Sequence, residues 1–133
     1  MRKLALLLAL LFAGAAQAQQ SVIVPATTAS IPITISTATT TRLITGAAGK
    51  SIYITSMIVI AGGTGSIQFI SGTGTTCATG QANVTGNIAL TTQVGFTIGT
   101  GNGVVLVLPS GASLCAVTDQ AVGMPGSISY AIF

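Results

Sequence analysis

The sequence predicts an all-β protein: a two-sheet antiparallel β-sandwich with jelly-roll-like connections, placed after an N-terminal signal peptide. Three observations carry this expectation. Short runs rich in Ile, Val and Thr recur about every 8–12 residues, which is sandwich spacing. Seventeen glycines, with clusters of Ser, Thr and Asn, separate those runs as turns. No window repeats apolar residues at helical spacing between capping residues. A chain of 133 residues with no internal repeat and no linker suits one domain. That domain is expected over residues 19–133, with residues 19–36 as an extended N-terminal arm and eight to ten strands in all.

The elements follow in order. Arg2 and Lys3 precede an apolar run over residues 4–12, and Ala16-Gln17-Ala18 supplies small residues where a signal peptidase reads. Residues 1–18 are therefore expected to be cleaved, and the apolar run is too short for a bilayer span, which takes about 20 residues. Residues 21–24 form a short apolar run closed by Pro25. Ile31-Pro32-Ile33-Thr34-Ile35 alternates, with its isoleucines on one face. Pro32 cannot donate to a ladder, which predicts an edge strand. Residues 40–45 form the next strand, and Gly46-Ala47-Ala48-Gly49 turns the chain.

Residues 51–61 carry the strongest strand pattern. Unbroken alternation puts Ile52, Ile54, Ile58 and Ile60 on one face, interrupted by Ser56, and Tyr53, Thr55, Met57 and Val59 on the other. Two apolar faces predict a central strand or one covered by a partner. Gly62-Gly63-Thr64-Gly65 reads as a tight turn joining this strand to residues 66–70 in a hairpin. Residues 72–80 read as a loop carrying Cys77. Strands are expected at 87–91, 93–98 and 104–108, with Gly99–Gly103 as a turn and Pro109 as a stop. Residues 113–117 carry Cys115. The last strand, 127–133, puts Ile128, Tyr130 and Ile132 on one face and Ser129, Ala131 and Phe133 on the other. That phase opposes a lipid-facing terminal Phe, and the chain is short for eight tilted membrane strands of about ten residues.

Cys77 and Cys115 are the only cysteines. In an exported chain an even pair is expected to close a disulfide. A redox-active pair or a metal site is the other reading, but no CxxC motif and no neighbouring His or acid supports it.

Composition excludes much chemistry. The chain has four Lys and Arg, one acid and no His, and 4% of its residues are charged, against about 25% in ordinary soluble domains. A single carboxylate forbids a carboxylate pair, and a Ser/His/Asp triad or a His-ligated metal needs a His. Cleavage after Ala18 leaves Arg42, Lys50 and Asp119 as the charged side chains. Two scattered cations cannot form a nucleic-acid patch. Neither Gly62–Gly65 nor Gly99–Gly103 is followed by a helix, so both read as turns and not as phosphate loops. Asp119 alone is a poor calcium ligand set. Lys50 sits in a turn and makes a weak base for a hydroxyl nucleophile. Asn83-Val84-Thr85 matches a glycosylation sequon by chance in a chain with a bacterial-type leader. Tyr53 and Tyr130 are candidate sugar-stacking platforms, but sugar-binding surfaces usually display several aromatics and the mature chain has five, at least three of them expected in the core. No catalytic residue, cofactor or metal is expected.

Three stretches together carry a resemblance. They are Ser71-Gly72-Thr73-Gly74-Thr75-Thr76-Cys77-Ala78-Thr79-Gly80, then Gly101-Asn102-Gly103-Val104-Val105-Leu106-Val107-Leu108-Pro109-Ser110-Gly111-Ala112-Ser113-Leu114-Cys115, then Gly126-Ser127-Ile128-Ser129-Tyr130-Ala131-Ile132-Phe133. This order resembles small uncharacterised β-proteins of bacteriophage genomes and bacterial chromosomes. In those, a Cys-Ala-Thr-Gly loop precedes a Gly-rich turn, an apolar strand and a Leu-Cys strand. The resemblance covers residues 40–133, supports a Cys77–Cys115 pairing and transfers no catalytic residue. Its phage members imply a virion structural or decoration role, whereas the leader of this chain favours an exported bacterial protein.

The expected function is that of a secreted, non-enzymatic structural or surface protein, periplasmic, extracellular or on the cell surface. It acts by contact, as a homo-oligomer or within an extracellular assembly. A glycan or cell-surface binding module, and a pilin-like subunit that donates residues 21–36 to a neighbour, are the alternatives. No nucleic-acid partner and no membrane span after cleavage are expected.

Overall fold

The computed structural model describes residues 29–100 and 103–133, and every regular element among them is a strand. The leader, its cleavage point and the apolar run at 21–24 lie outside the described residues. The ten strands are β1 (Ala29–Ile35), β2 (Thr40–Ile44), β3 (Ile52–Ile60), β4 (Gly65–Thr73), β5 (Thr79–Asn83), β6 (Ile88–Leu90), β7 (Gly95–Ile98), β8 (Leu106–Val107), β9 (Ser113–Thr118) and β10 (Met124–Ile132).

They form two antiparallel five-stranded sheets. The first, sheet A, runs β1-β10-β3-β7, with β8 also paired to β3; the second, sheet B, runs β2-β9-β4-β5, with β6 also paired to β4. β5 and β6 follow one another along a single edge of β4, and β7 and β8 follow one another along a single edge of β3. Each couple is thus one broken strand. Counted so, eight strands alternate between the sheets except at the β4–β5 hairpin, and pair in the order of a jelly roll. The predicted sandwich and its connections are therefore what the chain adopts.

The core lies between the sheets. Ile33, Ile54, Met57, Val59, Ile67, Phe69, Leu114 and Ile128 are among the buried side chains that fill it. Phe69 of sheet B meets Phe96 of sheet A edge-on, with ring centroids 6.2 Å apart. β1 behaves as its alternation predicts. Ile33 and Ile35 are buried, Pro32 and Thr34 are exposed, and the strand lies at the edge of sheet A. Thr118, buried at the end of β9, donates its Oγ1 hydrogen to the carbonyl of Thr37 at 2.6 Å and so ties down the β1–β2 connection. In β10, Ile128, Tyr130 and Ile132 face the core in the expected phase.

β3 is central, as expected, but its faces differ from simple alternation. Ile52, Ile54, Met57 and Val59 are buried, while Ile58 and Ile60 are 41% and 45% exposed. The cause is a β-bulge. Ser129 pairs with Ser56 and Tyr130 with Ile54, so Thr55 is an extra residue with no opposite number. One extra residue reverses the phase of everything beyond it. The Thr55 hydroxyl donates to the carbonyl of Ser129 at 3.1 Å. On the other edge of β3 the same irregularity separates β7 from β8. Gly99 has φ +73°, and a Cβ there would stand 2.6 Å from the Thr55 carbonyl oxygen. Pairing resumes where the Val105 N–H donates to the Ile54 carbonyl at 2.8 Å.

Two other expectations are corrected. The turn at residues 62–65 does not close a hairpin. It crosses from sheet A to sheet B, because both edges of β3 are already taken by β10 and by β7 and β8. The hairpin is instead β4–β5, whose turn and the first two residues of β5 fall in the stretch 72–80 expected to be a loop. Residues 104–108 contribute only a two-residue strand.

Cys77 and Cys115 form a disulfide with Cα atoms 6.2 Å apart. Both sulfurs lie outside the sandwich core, in a small buried cluster with Ile70 on the outer side of sheet B. Cys77 has φ +55°, and the loop before it folds back tightly over β4. Gly72 permits this, since a Cβ there would collide with the Cys77 carbonyl.

Candidate functional site

The two outer faces of the sandwich differ in character. On sheet B the outward row Arg42, Cys115, Ile70, Asn83 is covered in its middle by the Cys77 loop, and Thr40, Val117 and Gln68 follow beside it. What reaches solvent there is mostly polar. On sheet A the outward positions include Ile58 and Ile60 of β3 and Val107 of β8. Six large hydrophobic side chains among the described residues are exposed: Ile58, Ile60, Val94, Val105, Val107 and Phe133. All six lie on sheet A or at its margins. Phe133 extends β10, exchanging two backbone hydrogen bonds with Ser51, and its ring stands 5.9 Å from that of Tyr53. Tyr53 and Val107 are opposite one another in the ladder. Scattered apolar residues on a surface need no explanation, but a collected set rimmed by polar residues marks a contact surface.

A second feature lies at one end of sheet B. An open groove of about 660 Å³ is lined by the start of β4, by β6 and its flanks, and by the exit of β9. Gly65 and Ala89 leave it unfilled for want of bulk. Asp119, the chain's only acid, stands in it. The Ser66 N–H donates to Asp119 Oδ1 at 2.6 Å. This backbone hydrogen bond holds the carboxyl below its ordinary value of 3.8, against a smaller opposing effect of burial. The sign of the pH effect follows. Since folding lowers the pKa, the contribution is complete above 3.8 and disappears as pH falls through the lower folded value. Asp119→Asn keeps an oxygen for Ser66 but cannot titrate. The variant is expected to fall slightly below the wild type in urea midpoint at pH 7, and the gap should narrow as the pH is lowered below 3.8. A wild type that gained stability on acidification relative to the variant would contradict this.

The other sequence candidates do not gather into a site. Tyr53 faces outward from sheet A, whereas Tyr130 packs against the core, so they share no stacking surface. Lys50 lies in a turn, its N–H donating to Ala47 and its carbonyl accepting from Gly111. Arg42 is on the outside of sheet B. Asn83 ends exposed β5, while Thr85 of the same sequon is structural, its Oγ1 accepting from the Phe69 N–H at 3.0 Å. No group of three or more metal-ligating side chains occurs among the described residues.

Sequence reasoning missed both surface features. The outward placement of Ile58 and Ile60 depends on the Thr55 bulge. The groove draws on three segments separated by some twenty to thirty residues, and none carries a motif. Comparison with protein-family models, with curated proteins and with solved structures gives no match.

Proposed function

We propose that this chain is an exported, non-enzymatic surface or structural protein that works by packing against copies of itself through the outer face of sheet A. The observation that carries the reading is the collection of Ile58, Ile60, Val107 and Phe133 on that sheet while the other exterior is polar. Charge poverty supports it. Like-charged groups discourage self-packing, and Arg42, Lys50 and Asp119 are the only charged side chains expected on the mature chain. Export is supported by the leader pattern and by a buried disulfide, which suits an oxidising compartment. The edges are also partly guarded. Pro32 blunts β1, and breaks interrupt the opposite edge at β7 and β8. Face-to-face packing is therefore favoured over edge pairing.

The expected strength follows from size. Nine-residue strands at about 3.3 Å per residue, in a sheet four strands wide at about 4.8 Å spacing, offer roughly 500–600 Å² per copy. That is below the roughly 800 Å² per partner of a stable interface, so association belongs in the micromolar range. A two-fold arrangement presents the same patch twice and closes on itself. Sedimentation velocity on the mature chain should show dimers growing in as concentration rises through the micromolar range. Ile58→Thr with Val107→Thr should stay monomeric with little change in melting temperature, since both side chains are exposed. A wild type that remains monomeric at high micromolar concentration would remove the reading.

A further inference from the structure

We infer that the open groove at the end of sheet B binds a neutral saccharide. The site is assembled from three separate segments: Thr64 and Ser66 at the β3–β4 crossing, Asn87 before β6, and Asp119 with Gln120 after β9. Its volume of about 660 Å³ falls within the range of small-molecule clefts, roughly 300–1,000 Å³. Among the described residues, the side chains of Thr64, Asn87 and Gln120 make no hydrogen bond to the rest of the protein. They stand at the groove with donors and acceptors that no described residue engages.

The chemistry of these groups selects the ligand class. Hydroxyls and side-chain amides both donate and accept, as do the hydroxyls of a sugar. Asp119 adds a fixed acceptor. Its Oδ1 is engaged by the Ser66 N–H at 2.6 Å, which orients the carboxylate and leaves Oδ2 to receive hydroxyl donors. Charge-assisted acceptors of this kind are stronger than neutral ones. Ala89, exposed in the lining, offers a small apolar surface to the C–H face of a ring. A phosphate or carboxylate ligand would meet the charge of Asp119, and neither Arg42 nor Lys50 lines the groove to offset it. A divalent cation would find one carboxylate where such sites gather several oxygen ligands. A cationic amine could pair with Asp119 but would leave the hydroxyl and amide groups without complementary partners. The groove lies on the sheet opposite the apolar packing face, so occupation of one does not block the other. The inference therefore stands or falls independently of self-association.

No aromatic ring lines the groove, and the site is open, so affinity belongs in the millimolar range. The test is a heteronuclear NMR titration of the disulfide-bonded mature chain. The probes are methyl glycosides of glucose, galactose, mannose and N-acetylglucosamine, with spermidine and inorganic phosphate as charged controls. At least one sugar should shift the Asn87 and Gln120 side-chain amides and the Ser66 backbone amide in a saturable way. Asp119→Asn should weaken that binding about tenfold, the loss expected for one charge-assisted hydrogen bond. Its melting curve should be nearly unchanged at neutral pH, because the amide oxygen still accepts from Ser66. Asn87→Ala, at an exposed residue with no partner, should weaken binding without touching the fold and decides the matter if the Asp119 variant folds poorly. The inference is overturned if no sugar moves these amides, if spermidine or phosphate alone does so, or if binding survives Asn87→Ala unchanged.

Discussion

A chain beginning at residue 37 is expected not to fold. β1 pairs with β10 over its full length, from Ala29 opposite Tyr130 to Ile35 opposite Met124. It places Ile33 and Ile35 in the core at 1% and 2% exposure. Burying an Ile side chain contributes about 1.5–3 kcal/mol, so these two account for roughly 3–6 kcal/mol. Loss of the strand also opens the edge of β10, beside Met124 and Ile128, which pair with Ile35 and Ile31. Set against a total stability of about 5–15 kcal/mol for a domain, this removes most or all of the margin. Circular dichroism and one-dimensional NMR of the shortened chain should show loss of sheet signal and of dispersed methyl resonances. The outcome separates two readings of residues 21–36. A donor-strand subunit stripped of its donated segment stays folded and stops polymerising. A strand integral to its own sheet takes the fold with it. A folded, soluble shortened chain would return the donor-strand reading to first place.

The parts of this architecture that could be read from sequence are those set by local alternation. Ile31, Ile33 and Ile35 face one way because nothing interrupts their pleat, and Pro32 marks the edge because it has no N–H to give a ladder. Ile128, Tyr130 and Ile132 behave alike at the other end of the chain. β3 fails this treatment at one residue. Its bulge at Thr55 is imposed by β10, about 75 residues away, and is matched on the other edge by Gly99 and Val105. No feature of residues 51–61 signals it. β5 fails differently. Thr79-Gly80-Gln81-Ala82-Asn83 has no apolar alternation and a single β-branched residue, Thr79, and all five residues are exposed. It is a strand because the edge of β4 offers it hydrogen bonds, which is a tertiary cause. The glycines at 62, 63 and 65 correctly mark a change of direction. Whether such a turn returns along the same sheet or crosses to the next depends on which edges are already occupied. The groove beside Asp119 exists only once β4, β6 and β9 are assembled. The apolar face of sheet A inherits its illegibility from the bulge.

Removing the disulfide should cost almost as much as removing β1, by a different route. Cys77 and Cys115 are 38 residues apart, and closing a loop of that size lowers the entropy of the unfolded chain by about 4 kcal/mol at 25 °C. The folded state loses less, because the sulfurs belong to the small cluster on the outside of sheet B and not to the sandwich core. Cys77→Ala with Cys115→Ala is the right comparison, since Ser would place a hydroxyl in a buried apolar site. For a domain of this size about 4 kcal/mol corresponds to a fall in melting temperature of roughly 15–25 °C. The loss should also be uneven. The Cys77 loop and exposed β5 are held to the body by this bond and by the edge of β4, so their amides should exchange first in the variant. Those of β3, β9 and β10, central in their sheets, should retain protection relative to the rest. In the wild type both cysteines are fully buried, so a reductant reaches the bond only when the loop opens. Reduction under native conditions should therefore be slow and should accelerate steeply with urea. A double variant melting within a few degrees of the wild type would show that the bond fastens the loop without supporting the fold.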